Sequence, residues 1–242
     1  MKLNILPVRG TIRLPLKSAK MTLYSYCIPN DDGAAPNPFW GLCTLAICKP
    51  VIRRVAQKGD WIIGTGSMKQ GFENKVVYAM EVTDTKSLAQ YDTFCNRELV
   101  EKIPDIRHSD PRRRLGDCIY DFSTGLPQQR PGVHDAGNVG RDLGGKNVLL
   151  SNNFIYFGSC PQELPPDLLP IVRQGQGHRS KSNGSYLIKF LHWVNSLKVA
   201  RNQVLCDPYG MAHRANPACR STCAALDREE DDADERFDYS NC

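Results

Sequence analysis

The sequence predicts an α+β fold, with a small mixed or antiparallel sheet or partial barrel and flanking helices. Short runs rich in β-branched and aromatic residues alternate with turn formers, as strands do. Two longer segments repeat apolar residues at helical spacing. The 242-residue chain, 41% hydrophobic and 24% charged, lies in the globular range. No apolar run approaches the roughly 20 residues that cross a bilayer, so we expect no membrane association through a span.

Strands dominate the first third of the chain. Residues 22–28 (TLYSYCI) are predicted to form a strand that ends at the turn formers of residues 29–33. Residues 42–48 are a strand or a short helix, because a short apolar run does not separate the two. A hairpin of residues 61–64 with residues 75–83 (KVVYAMEVT) follows.

Helical spacing appears twice in the remainder. The segment 87–101 repeats apolar residues every three to four positions, and polar capping residues stand directly before it. The segment 185–198 shows the same pattern. Between the two helices, the composition predicts short strands at 148–150 and 154–157 and a short helix at 167–173.

A long segment, residues 104–146, is rich in Pro, Gly, Asp and Arg and has no sustained periodicity. Such a segment inside a compact domain is usually functional or disordered. The predicted organisation is a disordered arm or an upstream start at 1–20, one α+β domain at 21–198 and a C-terminal extension at 199–242.

Charge is distributed unevenly. The chain carries a net charge of +5, but residues 227–238 (DREEDDADERFD) carry −6 and the remainder +11. A basic body with an acidic tail is one pattern of nucleic-acid-binding proteins, because cations neutralise phosphates. The alternative is a solvated surface with a disordered, solubilising tail.

The ten cysteines are predicted to be reduced thiols. The apolar start of the chain is interrupted by Pro7, Arg9 and Gly10, so no secretory signal is predicted and a cytoplasmic location is expected. Five of the cysteines lie in or beside apolar runs without the spacing of a disulfide framework: Cys43, Cys48, Cys95, Cys118 and Cys160.

Common site motifs are mostly absent. The sequence has no dinucleotide fingerprint, P-loop, Gly-x-Ser-x-Gly elbow or His-Glu-x-x-His motif, so no cofactor is indicated. The extension contains the residue types of a zinc site, without the spacing of paired C-x-x-C knuckles, and free surface thiols are the favoured interpretation. The four candidate zinc ligands are Cys206, His213, Cys219 and Cys223.

Residue types suited to a nucleotide concentrate between Asp31 and Ser67. Polar groups can read a base edge, cations can hold phosphate, and aromatic rings can stack on a base. The alternative is that the aromatic residues are core and the cations are solvated. The candidate nucleotide-binding residues are Asn37, Trp40, Thr44, Lys49, Arg53, Asp60, Trp61, Thr65 and Ser67, with Arg112, Arg113 and Arg114 as candidate phosphate-binding residues.

The same segment carries a resemblance to a known family. The run of residues 35–50 (APNPFWGLCTLAICKP), with Gly59-Asp60-Trp61 and Gly64-Thr65-Gly66-Ser67, resembles the second nucleotide-modification-associated domain family. Later pieces, among them Gly116-Asp117-x-Ile119-Tyr120 and Tyr156-Phe157-Gly158, fit the same family. The hairpin region around Asp60 is also similar to the small PUA/EVE-like barrels that read modified bases.

The resemblance implies a biological context, the modification of nucleotides, rather than a particular reaction. Members of this family occur in bacteria and phages and are expected to work alongside the synthesis or recognition of modified bases in DNA. The implied partners are DNA or a nucleotide, and modification enzymes. The resemblance assigns no catalytic residue.

Three functions follow as hypotheses. The first is a module that recognises a modified base or nucleotide in nucleic acid; the second is an enzyme that modifies or hydrolyses a nucleotide or base; the third is a non-catalytic recruitment subunit. A cysteine nucleophile would need a nearby base, and an apolar setting favours an inert thiol. The candidate catalytic residues are Asp31, Cys43, His134, Asp135 and His178.

Overall fold

The computed structural model describes residues 21–211, which form the predicted α+β fold. The strands are β1 (Leu23–Ile28), β2 (Cys43–Leu45), β3 (Trp61–Gly66), β4 (Lys75–Glu81), β5 (Asp84–Ser87), β6 (Tyr120–Asp121), β7 (Gln128–Gln129), β8 (Asn147–Ser151), β9 (Phe154–Tyr156), β10 (Gln162–Glu163) and β11 (His178–Arg179). The α-helices are α1 (Pro50–Val55), α2 (Leu88–Glu98), α3 (Pro111–Arg114), α4 (Val139–Gly144) and α5 (Leu187–Ser196).

The main sheet has the order β10-β4-β3-β1-β11, and β9 also pairs with β4. Strands β1 and β3 run parallel and the other pairs run antiparallel. The predicted hairpin of β3 and β4 is confirmed, with a register shift between Gly64 and Thr65. A Cβ atom at Gly64 would lie 2.4 Å from the Tyr78 ring, so a glycine is needed for the strands to approach.

A second sheet has the order β2-β8-β5, and β6 pairs with β7 in a third. The ambiguity at residues 42–48 is resolved as a strand, because Cys43–Leu45 pairs antiparallel with β8. Within residues 21–211 each sheet is open, with a free strand at either edge, so the mixed-sheet alternative describes the fold.

Both longer helices are confirmed, and each begins later and ends earlier than predicted. Helix α2 begins at a capping box, in which Ser87 Oγ accepts from the Gln90 N–H at 3.2 Å and Gln90 Oε1 accepts from the Ser87 N–H at 2.8 Å. Before α5, residues Ser182–Tyr186 form a 3₁₀ helix, and another 3₁₀ helix at Pro166–Ile171 occupies the predicted short helix. The segment 104–146 holds only short elements.

The main sheet is covered on both faces. On one face, Tyr26 and Tyr78 pack in an apolar cluster with residues of the second sheet, including Leu45. On the other, Trp61 packs against Phe190 of α5, with ring centroids 5.6 Å apart. These two layers position the loops that follow β1, β2 and β3.

The segment after α5 packs back onto the domain as far as Met211. Val204 forms an isolated parallel β-bridge with Tyr156 of β9. Cys206 forms a disulfide with Cys160, and the Cα atoms of the two residues are 5.9 Å apart. The prediction of a reduced thiol is therefore wrong for Cys160 and Cys206, because chain folding brings together two cysteines 46 residues apart. The other four cysteines noted in apolar runs are outside disulfides, as predicted.

No helix between residues 21 and 211 is long and apolar enough to cross a bilayer. The predicted arm at 1–20 and the acidic tail at 227–238 lie outside the described residues.

Candidate active site

Three residues that are distant in the sequence meet beside the second sheet. Cys48 lies between β2 and α1, His134 lies before a 3₁₀ turn at residues 136–138, and Asp142 lies in α4. Cys48 Sγ is 3.4 Å from His134 Nε2, and His134 Nδ1 is 2.7 Å from Asp142 Oδ2. The imidazole thus stands between a thiol and a carboxylate, which is the order of groups in cysteine nucleophile triads.

The carboxylate of Asp142 is fully buried and held at both oxygens. Tyr120 OH donates to Asp142 Oδ2 at 3.1 Å, and the Cys48 backbone N–H donates to Asp142 Oδ1 at 3.1 Å. Asp142 therefore fixes the imidazole ring of His134 and the backbone of Cys48 at the same time. Charge-assisted hydrogen bonds of this kind give a site its geometric precision.

The charge state of His134 follows from its neighbours. Burial alone would lower the pKa of this histidine, but the charge of Cys48 and the hydrogen bond to Asp142 together raise the pKa well above its usual value. A more basic imidazole 3.4 Å from the Cys48 sulfur is a better acceptor of the thiol proton, and the thiolate is the nucleophilic form of cysteine.

The backbone at Cys48 is in an uncommon conformation. Cys48 has φ 57° and Lys49 has φ 41°, so two consecutive non-glycine residues lie in the left-handed region. This region costs roughly 1–3 kcal/mol for a residue with a side chain and is retained mainly at functional sites. The sharp corner leaves the Cys48 side chain only half-buried, while its neighbour Ile47 is in the core.

A buried arginine lies beneath the triad. Arg53 Nε donates to the Asn147 carbonyl at 2.8 Å, and its Nη1 donates to the Cys48 carbonyl at 3.3 Å. Burial lowers the pKa of Arg53, opposed by the nearby charges of Asp142 and Cys48. A Cβ atom at Gly145 would lie 2.6 Å from the guanidinium carbon, so a glycine there makes room for the arginine.

Cys43, the cysteine that the sequence suggested as nucleophile, is in a different setting. It is fully buried on β2, and burial raises the pKa of its thiol to about 12. A protonated, enclosed thiol is inert. The reactive arrangement lies five residues further along, at Cys48.

Asn37 and Thr44, two predicted base readers, belong to a second, closed network. Lys102 Nζ donates to Asn37 Oδ1 at 2.7 Å and to Thr44 Oγ1 at 2.9 Å, and Thr44 donates to Asp117 at 2.6 Å. Tyr91 OH also donates to Asp117, at 2.7 Å. All these side chains are buried, so their polar groups bond to each other rather than to a ligand.

Burial also governs the charges of this network. It lowers the pKa of Lys102 against the attraction of Asp117, and it raises the pKa of Asp117 against the attraction of Lys102. The network joins the loop before β2 to the segments around residues 102 and 117. It thereby supports the strand that leads to Cys48.

The remaining residues predicted to bind a nucleotide are dispersed. Asp60 accepts from the backbone N–H groups of Thr22 and Gln57, each at 2.8 Å, and so fixes a turn. The buried hydroxyl of Thr65 donates to a backbone carbonyl, and so does the part-buried hydroxyl of Ser67. Trp61, 4% exposed, is part of the core.

Three further candidates stand apart from the triad. His178 lies at the sheet edge with its ring 5.9 Å from the Tyr24 ring, and Asp135 caps the turn at residues 136–138. Asp31 accepts from Tyr156 OH in the core, and burial raises the pKa of this carboxyl to about 7. His134, one of the histidines predicted to be catalytic, lies beside a cysteine, Cys48.

The three arginines of α3 point to different partners. Arg112 lies 5.9 Å above the Phe39 ring and forms an ion pair with Asp207 at 3.3 Å. Arg113 and Arg114 donate to backbone carbonyls of Val100 and His108. Arg112 and Trp40 border the same cleft.

The zinc prediction concerns mainly residues that the structure does not describe. Cys206 is bonded to Cys160, and a disulfide sulfur is not a thiolate ligand. His213, Cys219 and Cys223 lie outside the described range. Within residues 21–211, no group of three or more His, Cys, Asp or Glu side chains is arranged to hold a metal ion.

Sequence reasoning missed Cys48, Asp142 and Tyr120. The one local signal was Cys48-Lys49-Pro50, where a cysteine ends an apolar run directly before a helix start. Cys48 and Asp142 are 94 residues apart, and nothing in a single sequence joins them.

The fold and the site together define an α+β protein that presents a cysteine, a histidine and an aspartate in hydrogen-bonding order. The family model described as nucleotide modification associated domain 2 matches residues 20–215, and the chain belongs to that family. The resemblance found in the sequence is thus confirmed, and the domain's name implies involvement in a nucleotide modification system. No curated protein and no solved structure matches the chain.

Proposed function

We propose that the protein is an enzyme of a nucleotide modification system that uses Cys48 as the nucleophile in acyl transfer or hydrolysis on a nucleotide or base. The supporting observation is the half-buried Cys48 thiol, 3.4 Å from an imidazole whose other nitrogen is bonded to buried Asp142. A base oriented by a carboxylate converts a weak nucleophile into an effective one. Membership of the family supports a nucleotide or base as substrate.

The reaction begins with transfer of the Cys48 thiol proton to His134 Nε2. The sulfur then bonds to the carbonyl carbon of an amide or ester on the substrate. The carbon–nitrogen or carbon–oxygen bond breaks, and the leaving amine or alcohol takes the proton from His134.

The second half regenerates the enzyme. His134 takes a proton from water, and the hydroxide attacks the thioester carbon. The carbon–sulfur bond breaks, a carboxylic acid leaves, and the proton returns to the Cys48 sulfur. In transfer rather than hydrolysis, an amine or alcohol of the acceptor replaces the water, and no redox partner is involved.

The surrounding residues have positioning roles. Asp142 selects the imidazole tautomer that presents Nε2 to sulfur and stabilises the imidazolium. Arg53 holds the carbonyl of Cys48 at 3.3 Å, which supports the left-handed corner at that residue.

The test is an acylation burst with p-nitrophenyl acetate, a general probe of acyl-accepting nucleophiles. We expect one rapid equivalent of nitrophenolate and an acetyl group on the peptide that contains Cys48. Cys48→Ala should abolish the burst. Cys27→Ala removes another thiol that is not in a disulfide and should retain the burst. A burst that persists in Cys48→Ala would reject the proposal.

The substrate class needs a separate experiment. Nucleoside monophosphates, single-stranded DNA and double-stranded DNA, with modified bases included, are added as competitors of the burst. Slowing by one of these ligands supports a nucleotide or base as substrate. A burst that none of them slows, at low salt, would reject that substrate class while leaving the nucleophile in place.

A second candidate function, recognition of a base, is favoured by one other feature. A cleft of about 560 Å³ is bordered on one side by Phe39, Trp40 and Arg112 and on the other by residues 202–207. Trp40 has φ 66°, and its indole N–H has no hydrogen-bond partner within residues 21–211. An indole ring beside a guanidinium group suits a stacked base with its phosphate.

Binding of single-stranded DNA, measured by anisotropy at low salt, tests recognition. Trp40→Ala removes a stacking platform and Arg112→Ala removes a charged phosphate contact, and each change should weaken binding by about tenfold. Arg97→Ala, at an exposed arginine on α2, is the control. Equal affinity in Trp40→Ala and Arg97→Ala would reject recognition through this cleft.

A further inference from the structure

A cavity of about 350 Å³ opens at the end of the parallel strands β1 and β3. Cys27 lines it, whereas the adjacent Tyr26 points to the other face, where Lys49 Nζ lies 4.9 Å from its ring centroid. Successive side chains of a strand point to opposite faces of the sheet. The cavity and Cys48 therefore lie on opposite faces, and the cavity is separate from the candidate active site.

Two loops form the walls. One is the connection between β3 and β4, with Met68, Lys69, Glu73 and Asn74, and the other is the loop at residues 172–176. The ends of parallel strands are common places for ligands, because loops there leave a crevice. A volume of about 350 Å³ lies within the roughly 300–1,000 Å³ typical of small-molecule sites.

The charge of the lining favours an anion. Lys69 and Arg173 are the basic residues of the wall and Glu73 is its acid. Neither Lys69 nor Arg173 forms an ion pair with any residue between 21 and 211. Arg173 Nε donates to the Gln176 carbonyl at 2.7 Å, which holds the side chain within its own loop. Its two terminal nitrogens can hold a phosphate.

The rest of the lining suits a nucleobase. The accessible wall is mainly apolar, with Pro29, Met68 and Val172 contributing, and Met68 is 75% exposed. Such a surface covers the faces of a planar ring. Side-chain amides surround it and offer both donors and acceptors, which a base edge requires. These amides belong to Asn30, Asn74, Gln174 and Gln176.

We propose that this cavity binds a nucleoside monophosphate, with the phosphate at Lys69 and Arg173 and the base against Pro29, Met68 and Val172. The site is additional to the Cys48 centre and does not depend on it.

The test is calorimetric titration of the full-length Cys48→Ala protein with the four common deoxynucleoside monophosphates, the matching nucleosides and inorganic phosphate. At least one monophosphate should bind. Arg173→Gln and Lys69→Gln should each weaken that binding by about tenfold or more, the loss typical of a charged hydrogen bond. Arg97→Gln, at an exposed residue of α2, should leave the binding unchanged.

A second measurement confirms the location. A monophosphate in the cavity should slow alkylation of Cys27, followed by peptide mass spectrometry, because Cys27 lines the cavity. Binding of nucleosides or of inorganic phosphate as strongly as the monophosphates would overturn the proposal. So would an absence of monophosphate binding, or affinity unchanged in Arg173→Gln. Because Cys48 is absent throughout, these outcomes are independent of the acylation test.

Discussion

Two clusters of ionisable side chains include residues of β2 or of the loop that follows it, and they differ in one respect. In the cluster around Lys102, every side chain is buried and each polar group is bonded to another, from Asn37 through Thr44 to Asp117. In the cluster around His134, the carboxylate and imidazole are buried but Cys48 is only partly buried. A closed network stabilises the fold, whereas an open one presents a reactive atom to a substrate.

Both clusters contain residues of the family-like segment. The polar residues that looked most suited to reading a base, Asn37 and Thr44, lie in the closed network. Cys48, which lay unremarked in an apolar run, lies in the open one. Accessibility, rather than residue type, separates the two roles.

The largest effect is expected at Lys102. Lys102→Met removes the cation from a buried network and leaves Asp117 without its opposing charge, so the free energy of unfolding should fall by about 3–5 kcal/mol. Urea denaturation measures it. Lys58→Met, at an exposed lysine, is the control and should change stability by less than about 0.5 kcal/mol. If Lys102→Met keeps the stability of the wild type, the cluster around Lys102 does not have the structural role assigned to it. If Cys48 is also unreactive, the cluster around His134 does not have the reactive role.

A pH-dependent effect is expected at Asp31. Burial raises the folded-state pKa of this carboxyl to about 7, above its unfolded value near 3.8. The folded protein therefore binds more protons between these values, and stability falls as pH rises from about 4 to 7.

The Asp31→Asn variant has no carboxyl group to titrate at this position, so its stability should not show this fall between pH 4 and 7. Relative to the variant, the wild type should lose up to about 4 kcal/mol over that interval. Denaturation curves at successive pH values give the difference. A constant difference from pH 4 to pH 7 would show that Asp31 is not a closed, desolvated group.

A smaller effect is expected at Gly145, which packs on Arg53. Gly145→Ala places a Cβ atom 2.6 Å from the guanidinium carbon and should cost about 1–3 kcal/mol of stability by overpacking. Gly140→Ala, in the adjacent helix α4 and with no atom within 4 Å of the new Cβ, is the matched control and should be neutral or stabilising. Equal stability of the two variants would show that the Arg53 guanidinium does not pack against Gly145.

The smallest effect is expected at Tyr120. Tyr120→Phe removes one hydrogen bond to Asp142 and should lower the free energy of unfolding by about 0.5–1.5 kcal/mol. Alkylation of Cys48 should slow only slightly, because the Cys48 N–H still holds Asp142. A loss of Cys48 reactivity as large as that of a His134 variant would give Tyr120 a direct role.

Local signals predicted most of the fold. The hairpin of β3 and β4 and helices α2 and α5 follow from periodicity and capping, which act within one segment. Local signals did not predict the three-residue strand β2, because its pairing with β8 depends on residues about 100 positions away. The disulfide between Cys160 and Cys206 was missed for the same reason.

The candidate site was predicted only in part. His134 was selected from its place in a polar loop, whereas Cys48 resembled Cys43 because both lie in one apolar run. The difference between them is the left-handed corner at Cys48, which turns its thiol toward His134. Asp142 looked like one more acid in a glycine-rich loop, and only tertiary folding pairs it with His134.

The most direct test of the account is the alkylation rate of Cys48 by iodoacetamide, followed by peptide mass spectrometry between pH 6 and 8. Cys48 should react faster than Cys27 in the wild type. In His134→Gln, alkylation of Cys48 should slow by about tenfold or more, since the base 3.4 Å from the sulfur that takes the thiol proton is lost. Cys48 reacting no faster than Cys27, or at an unchanged rate in His134→Gln, would contradict the claim that these residues form a reactive centre.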